Sequence, residues 1–227
     1  VAQLLHNIDA AKRNHTTEIN STSIEPWMEG TSPSDDNDFQ DRVTQNIKLH
    51  LRAFQEADLA NSCVKNWNIE FLRPGEFATF TSLEKIRPIL DGLNEKVGRP
   101  FFRALIDAAH CGDSGLSMAE NAQIISEMGA NDQIGPFHCS APTTRGCLSS
   151  DDGWVSALLR ANAETGKLPS AFVELFRHDD QAFAELRELV PGHGVDTTMG
   201  RTYIEVVVDG LVDTVRRLNN LKNRGVI

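Results

Sequence analysis

Short, nearly continuous apolar runs recur along the chain at 67–72 (WNIEFL), 101–106 (FFRALI), 134–137 (IGPF) and 171–176 (AFVELF), with helical periodicity between them. No other feature constrains the fold as much. Strands that are apolar on both faces must be covered on both faces, which is the condition of a parallel sheet in an α/β protein. A weaker fifth run lies at 18–24. Amphipathic stretches at 39–60, 82–96, 118–128, 151–165, 179–190 and 201–222 supply the crossovers, and 1–12 reads as a helix ahead of them. Thr81-Ser82-Leu83-Glu84 and Ser117-Met118-Ala119-Glu120 have the capping-box pattern. Pro88 is expected to kink or shorten its helix, and the last helix to bury a stripe of Ile204, Val207, Val208, Leu211, Val215 and Leu218. Residues 29–38 read as a long exposed loop. Repeated β/α units without a second compositional block predict one domain over 1–227, either an open doubly wound sheet or a closed (β/α)8 barrel.

Composition narrows the function. With 32 acidic residues against 22 basic ones the net charge is −10, and there is no basic block. Nucleic acid and anionic membrane are therefore not expected partners. No apolar run approaches the roughly 20 residues that span a bilayer. Cysteines 63, 111, 139 and 147 form no CxxC pair and read as reduced thiols of a cytoplasmic protein. Nothing matches a GxGxxG or P-loop fingerprint or a GxSxG elbow, so neither a nucleotide cofactor nor a serine hydrolase is implied.

The polar residues of the strands carry the chemistry. Each strong run has an acid or imidazole in it or just after it, where α/β proteins keep their sites: Glu70, then Asp107 and His110, then His138, then Glu174. A carboxylate in a run such as AFVELF is costly to bury without a cation or a dense set of donors. Three carboxylates and one imidazole converging from neighbouring strands suit a single divalent ion, Mn2+, Mg2+ or Co2+, better than a thiolate zinc site. His110, three residues beyond Asp107, would face away in a continuing strand and is assigned to the loop after it. Cys111 and Cys139 read as small buried hydrophobes, and Trp27, Trp67 and Trp154 as packing.

These residues, in this order and spacing, resemble the xylose-isomerase-like barrel superfamily and, within it, the D-tagatose and D-psicose 3-epimerases. The resemblance covers about 39–227 and implies the C-terminal five or so units of a (β/α)8 barrel, with the N-terminal strands missing from this chain. It implies a metal held by Glu70, Asp107, His138 and Glu174, with Glu70 and Glu174 as the catalytic acid and base. It also implies substrate contacts from Glu76, His110 and Arg145. The segment Arg73-Pro74-Gly75 departs from the family's Asn-Arg-Phe-like stretch. The implied function is proton abstraction beside the carbonyl of a ketose or related polyol, through an enediolate, by an isomerase that works on a small sugar and forms a homo-oligomer. Alternatives are a C-glycoside deglycosidase, an inosose-type dehydratase and a noncatalytic sugar-binding barrel. A relative of endonuclease IV is disfavoured by the acidic charge.

Overall fold

The computed structural model describes residues 1–141, 153–174, 181, 184–189 and 200–227. Five strands form one parallel sheet: β1 (Glu18–Thr22), β2 (Asn66–Glu70), β3 (Phe102–Asp107), β4 (Ile134–Cys139) and β5 (Ala171–Val173). Their spatial order is the same as their order in the chain. This excludes the doubly wound alternative, which needs the order to reverse at a switch point. Right-handed crossovers between successive neighbours all fall on one side of the sheet. The helices therefore cover a single face, and the sheet curls about the other as part of a barrel.

The helices are α1 (Ala2–Arg13), α2 (Asp36–Glu56), α3 (Leu83–Val97), α4 (Ala108–Asp113), α5 (Met118–Ala130), α6 (Trp154–Glu164), α7 (Ala184–Leu189) and α8 (Tyr203–Asn223). The strands turn Trp67, Ile69, Phe102, Ile106 and Phe137 outward, and these meet Phe54 of α2 and Ile86, Ile89 and Leu90 of α3 in one continuous core. The buried Trp67 packs on Phe102 with ring centroids 5.4 Å apart and donates its indole N–H to Ser21 Oγ at 2.8 Å. On the concave face polar residues pair with one another. Asn68 Nδ2 donates to Asn20 Oδ1 at 2.8 Å.

Gly135 of β4 sits opposite that asparagine. A Cβ there would lie 2.6 Å from the Ala104 carbonyl oxygen and 2.6 Å from Asn68 Oδ1. The first of these is backbone and cannot yield without moving β3. Gly135→Ala is expected to cost about 1–3 kcal/mol through overpacking, read as a lower denaturant midpoint with an unchanged slope.

Several sequence expectations need correction. The exposed loop is shorter than 29–38, because Asp35 accepts from Asp38 N at 2.9 Å and starts α2 at Asp36. The remaining turn is tied down: Arg42 Nη1 donates to the Thr31 carbonyl oxygen and, at 2.9 Å, to Thr79 Oγ1, and Ser34 N donates to Asp38 Oδ2 at 2.9 Å. Pro88 does not end α3, which runs on through buried Ile89, Leu90 and Leu93 to a left-handed Gly98 (φ 73°). Its cap is Ser82, accepting from Lys85 N, rather than a Thr81–Glu84 box. The Ser117–Glu120 box is present, and a further one, Thr202–Glu205, opens α8.

The stripe expected to be buried on α8 largely faces outward. Ile204 is 73% exposed and Val215 55% exposed, while Val206, Gly210, Asp213, Thr214 and Leu221 are buried. Asp213 can be buried because the guanidinium groups of Arg216 and Arg217 neutralise it. Trp27 is likewise exposed and not packed. The stretch 179–190 appears only as α7 among the described residues. Among these residues, no helix is long and apolar enough to cross a membrane.

Candidate metal and sugar site

The C-terminal ends of four adjacent strands bring Glu70 (β2), Asp107 (β3), His138 (β4) and Glu174 (just past β5) to one point. One ligand atom from each lies within 4.8 Å of the others. His138 Nδ1 is 2.9 Å from Glu174 Oε2, 3.6 Å from Glu70 Oε1 and 3.7 Å from Asp107 Oδ2. The convergence follows from register. Asp107 pairs with His138 across β3 and β4, and the side-chain alternation of each strand turns these positions to the concave face.

Asp107 divides its carboxylate between two tasks. Oδ1 accepts from His110 N at 2.7 Å and caps α4. Oδ2 faces the cluster and, like Glu70 Oε1, is buried without a hydrogen-bond donor. Two buried carboxylate oxygens without donors are costly, and a cation removes the cost. Ligand atoms about 2.1 Å from an octahedral ion lie about 3 Å apart when adjacent and about 4.2 Å apart when opposite. The spacing found here suits such an ion, and the oxygen-rich donor set suits Mn2+, Mg2+ or Co2+.

The electrostatics agree. Burial disfavours a charged His138, but the Asp107 carboxylate 3.7 Å away, the bond to Glu174 and the charge of Glu70 outweigh burial and raise it to about 11. Burial likewise opposes charge on His110, and Asp107 and Glu70 override it, raising the imidazole to about 10. Burial works against ionising Asp107 too, yet the two imidazoles hold it at about 2. For Glu174 burial prevails and pushes the carboxyl up to about 7. A field that draws protons onto two imidazoles also draws a divalent cation.

His110 lies on α4 and not in a loop. Its Nδ1 donates to the Phe71 carbonyl at 3.0 Å, which turns Nε2 toward Glu76 Oε2, 3.9 Å away. Glu76 is buried and adjoins the site. Arg145, the remaining expected substrate contact, lies outside the described residues, as does Cys147. Cys111 and Cys139 are buried free thiols.

Sequence reading missed the contact that ties the loop bearing Glu76 to α4, which bears His110. Arg73 Nε lies 3.4 Å from Asp113 Oδ2, with the arginine side chain 9% exposed. The signal was present in Asp107-x-x-His110-x-x-Asp113, whose threefold spacing marks one face of a helical turn.

A curled sheet of β/α units that gathers three carboxylates and an imidazole at its strand ends has the layout of a barrel built to hold a cation at its mouth. Solved structures that superimpose on the chain include sugar epimerases and isomerases. L-ribulose 3-epimerase superimposes with a TM-score of 0.72 at 12% identity, over 99% of this chain and 68% of its own. A protein of Anabaena variabilis described as a sugar phosphate isomerase/epimerase gives 0.72 at 16%, over 96% and 68%. D-Psicose 3-epimerase of Clostridium cellulolyticum, solved with D-tagatose, gives 0.66 at 12%, over 96% and 69%. No family model matches the sequence, and no curated protein matches it. At such identities the likeness establishes the fold, which is the one implied by the resemblance to the xylose-isomerase-like superfamily.

Proposed function

We propose that the cluster is the divalent-metal site of an isomerase that moves a proton beside the carbonyl of a small sugar, as a ketose 3-epimerase or an aldose–ketose isomerase. The observation that carries this reading is the convergence of Glu70, Asp107, His138 and Glu174 with two buried oxygens lacking donors. The sugar epimerases that share the fold support the substrate class.

Glu70, Asp107, His138 and Glu174 would hold the ion, Mn2+ by preference, which when bound supplies Lewis-acid polarisation of the carbonyl. The remaining work falls to the protein. Glu70 and Glu174 come from β2 and the end of β5, with β3 and β4 between them, so they approach a sugar from two sides. One carboxylate removes the proton from the carbon, giving an enediolate, and the other returns a proton to the opposite face. His110 and Glu76, whose facing atoms are 3.9 Å apart, would hold a sugar hydroxyl between them. Arg145 would hold a second oxygen.

Metal analysis of the protein, with deuterium uptake from D2O into a panel of ketoses with and without chelator, tests this reading. Metal-dependent exchange at the carbon beside the carbonyl is the expected result. Bound metal without exchange would move the reading to an eliminase, a deglycosidase or a noncatalytic barrel, and absence of metal affinity would overturn it.

Binding should also be visible as stability. Mn2+ at a hundred times its dissociation constant contributes about 2.7 kcal/mol, or roughly 5–10 °C of melting temperature for a chain of this size. Asp107→Asn keeps an acceptor for the α4 cap and removes the charge, so this variant should fold and lose most of the metal-dependent shift.

A further inference from the structure

Two rungs join the loop after β2 to α4. The first is the Glu76–His110 pair, with 3.9 Å between Oε2 and Nε2. The second is the ion pair of Arg73 and Asp113, with 3.4 Å between Nε and Oδ2. Each member of the second rung stands three residues from its counterpart in the first. On the loop side a tight turn fixes that offset: the Arg73 carbonyl accepts from Glu76 N at 3.2 Å and from Phe77 N at 3.1 Å, around Gly75 at φ 97°. On the other side His110 and Asp113 both belong to α4, where positions three apart share a face. Displacing Arg73 therefore displaces Glu76, and displacing Asp113 displaces His110.

Exposed ion pairs contribute little, but the side chains of Arg73 and Asp113 are only 9% and 20% exposed, so water competes weakly for either charge. A helix of six residues does not hold its position by propensity alone. The N-terminal half of α4 is tied by the Asp107 cap and by the bond from His110 Nδ1 to the Phe71 carbonyl. Asp113 is its last residue, and Arg73 holds that end against the loop. The loop keeps a separate backbone anchor, because Met28 N donates to the Glu76 carbonyl at 2.8 Å. Loss of the Arg73–Asp113 pair should then loosen the spacing between Glu76 and His110 without undoing either segment.

We propose that Arg73 and Asp113 are positioning residues that set the gap between Glu76 and His110, and with it the affinity for the sugar hydroxyl held there; this rests on the isomerase reading above. A hydroxyl contact made alike in the bound sugar and the transition state shows in KM and not in kcat. Initial rates of deuterium wash-in from D2O into D-fructose, D-psicose and D-tagatose, each over a range of concentrations with Mn2+ saturating, test it. Arg73→Met and Asp113→Asn are each expected to raise KM about tenfold, as for a weakened hydrogen bond to a charged group, with kcat and Mn2+ affinity little changed. The double variant Arg73→Met/Asp113→Asn separates positioning from stability. It leaves neither charge alone, so its melting temperature should recover relative to Arg73→Met, while its KM should stay as high as in the single variants. Three results would each overturn the proposal and leave the isomerase reading standing: unchanged KM in the single variants, a KM that recovers with stability in the double variant, or a loss of Mn2+ affinity in step with kcat. No wash-in by the unsubstituted protein would instead overturn the isomerase reading, and this inference with it.

Discussion

Glu174→Gln should slow the interconversion of two C3-epimeric ketoses by about 10²–10⁴-fold, the contribution of a placed acid or base, while one of the two epimers continues to exchange its proton with solvent. Gln keeps a ligand oxygen and nearly the same volume, so the variant should fold, and rates compared with metal supplied at saturation report the missing carboxylate rather than a lost ion. If Glu70 and Glu174 serve opposite faces of the sugar, removing one leaves the other able to take and return a proton on its own side. Glu70→Gln should then show the complementary pattern, exchanging with the other epimer. Wash-in of deuterium into each purified epimer, measured by NMR, reads both variants. An unchanged interconversion rate in either variant would sink the two-carboxylate mechanism. Loss of exchange with both epimers in one variant and with neither in the other would assign the chemistry to a single carboxylate.

Acid should destabilise the fold through a residue distant from this chemistry. His50 of α2 is fully buried against Trp67 and Phe102, with centroids 5.2 and 6.4 Å away. Its Nδ1 donates to the Asn46 carbonyl at 2.9 Å, and Nε2 has no hydrogen-bond partner. Burial lowers the imidazole to about 4, outweighing the opposing effect of the Asn46 bond. An unfolded histidine titrates near 6.5, so between about pH 6.5 and 4 the unfolded chain binds the extra proton. The contribution is therefore intact above pH 6.5 and is lost as the pH falls toward 4, by about 3 kcal/mol in all. His50→Leu should remove that part of the pH dependence. Urea unfolding of both proteins at pH 7 and pH 4.5 is the measurement. Both retain the same carboxylates, so the difference between their pH slopes isolates His50. Equal slopes would show that the imidazole is not buried neutral.

The strands were legible because burial on both faces leaves a nearly unbroken apolar run, and their terminal acids stood out against that background. Glu70, Asp107, His138 and Glu174 could each be named from sequence because a charge in such a run requires a reason. Strand order came only from the structure, since a β/α repeat fits both a rolled sheet and a doubly wound one. The position of His110 was misread for a local reason. Periodicity shows that it leaves the strand, but not that the Asp107 side chain turns back to start a helix at once. α8 misled because two faces of that helix have helical spacing, and hydrophobicity alone selected the one that carries Ile204 and Val215. The buried face carries Asp213 instead, made tolerable by Arg217, and pairwise compensation of this kind is invisible to an apolarity pattern. The Arg73–Asp113 contact joins the loop after β2 to the end of α4, 40 residues on; the 107–110–113 spacing marks the helical face, but no local pattern names the distant partner.

The shared carboxylate of Asp107 has one more consequence. Its two oxygens are conjugated, so charge drawn toward a ligand on Oδ2 is withdrawn from Oδ1, the acceptor that anchors the first turn of α4. The amide proton of His110 therefore acts as a built-in gauge. Its chemical shift and its exchange rate with water should respond to whatever occupies the mouth, even though the amide itself never touches the occupant.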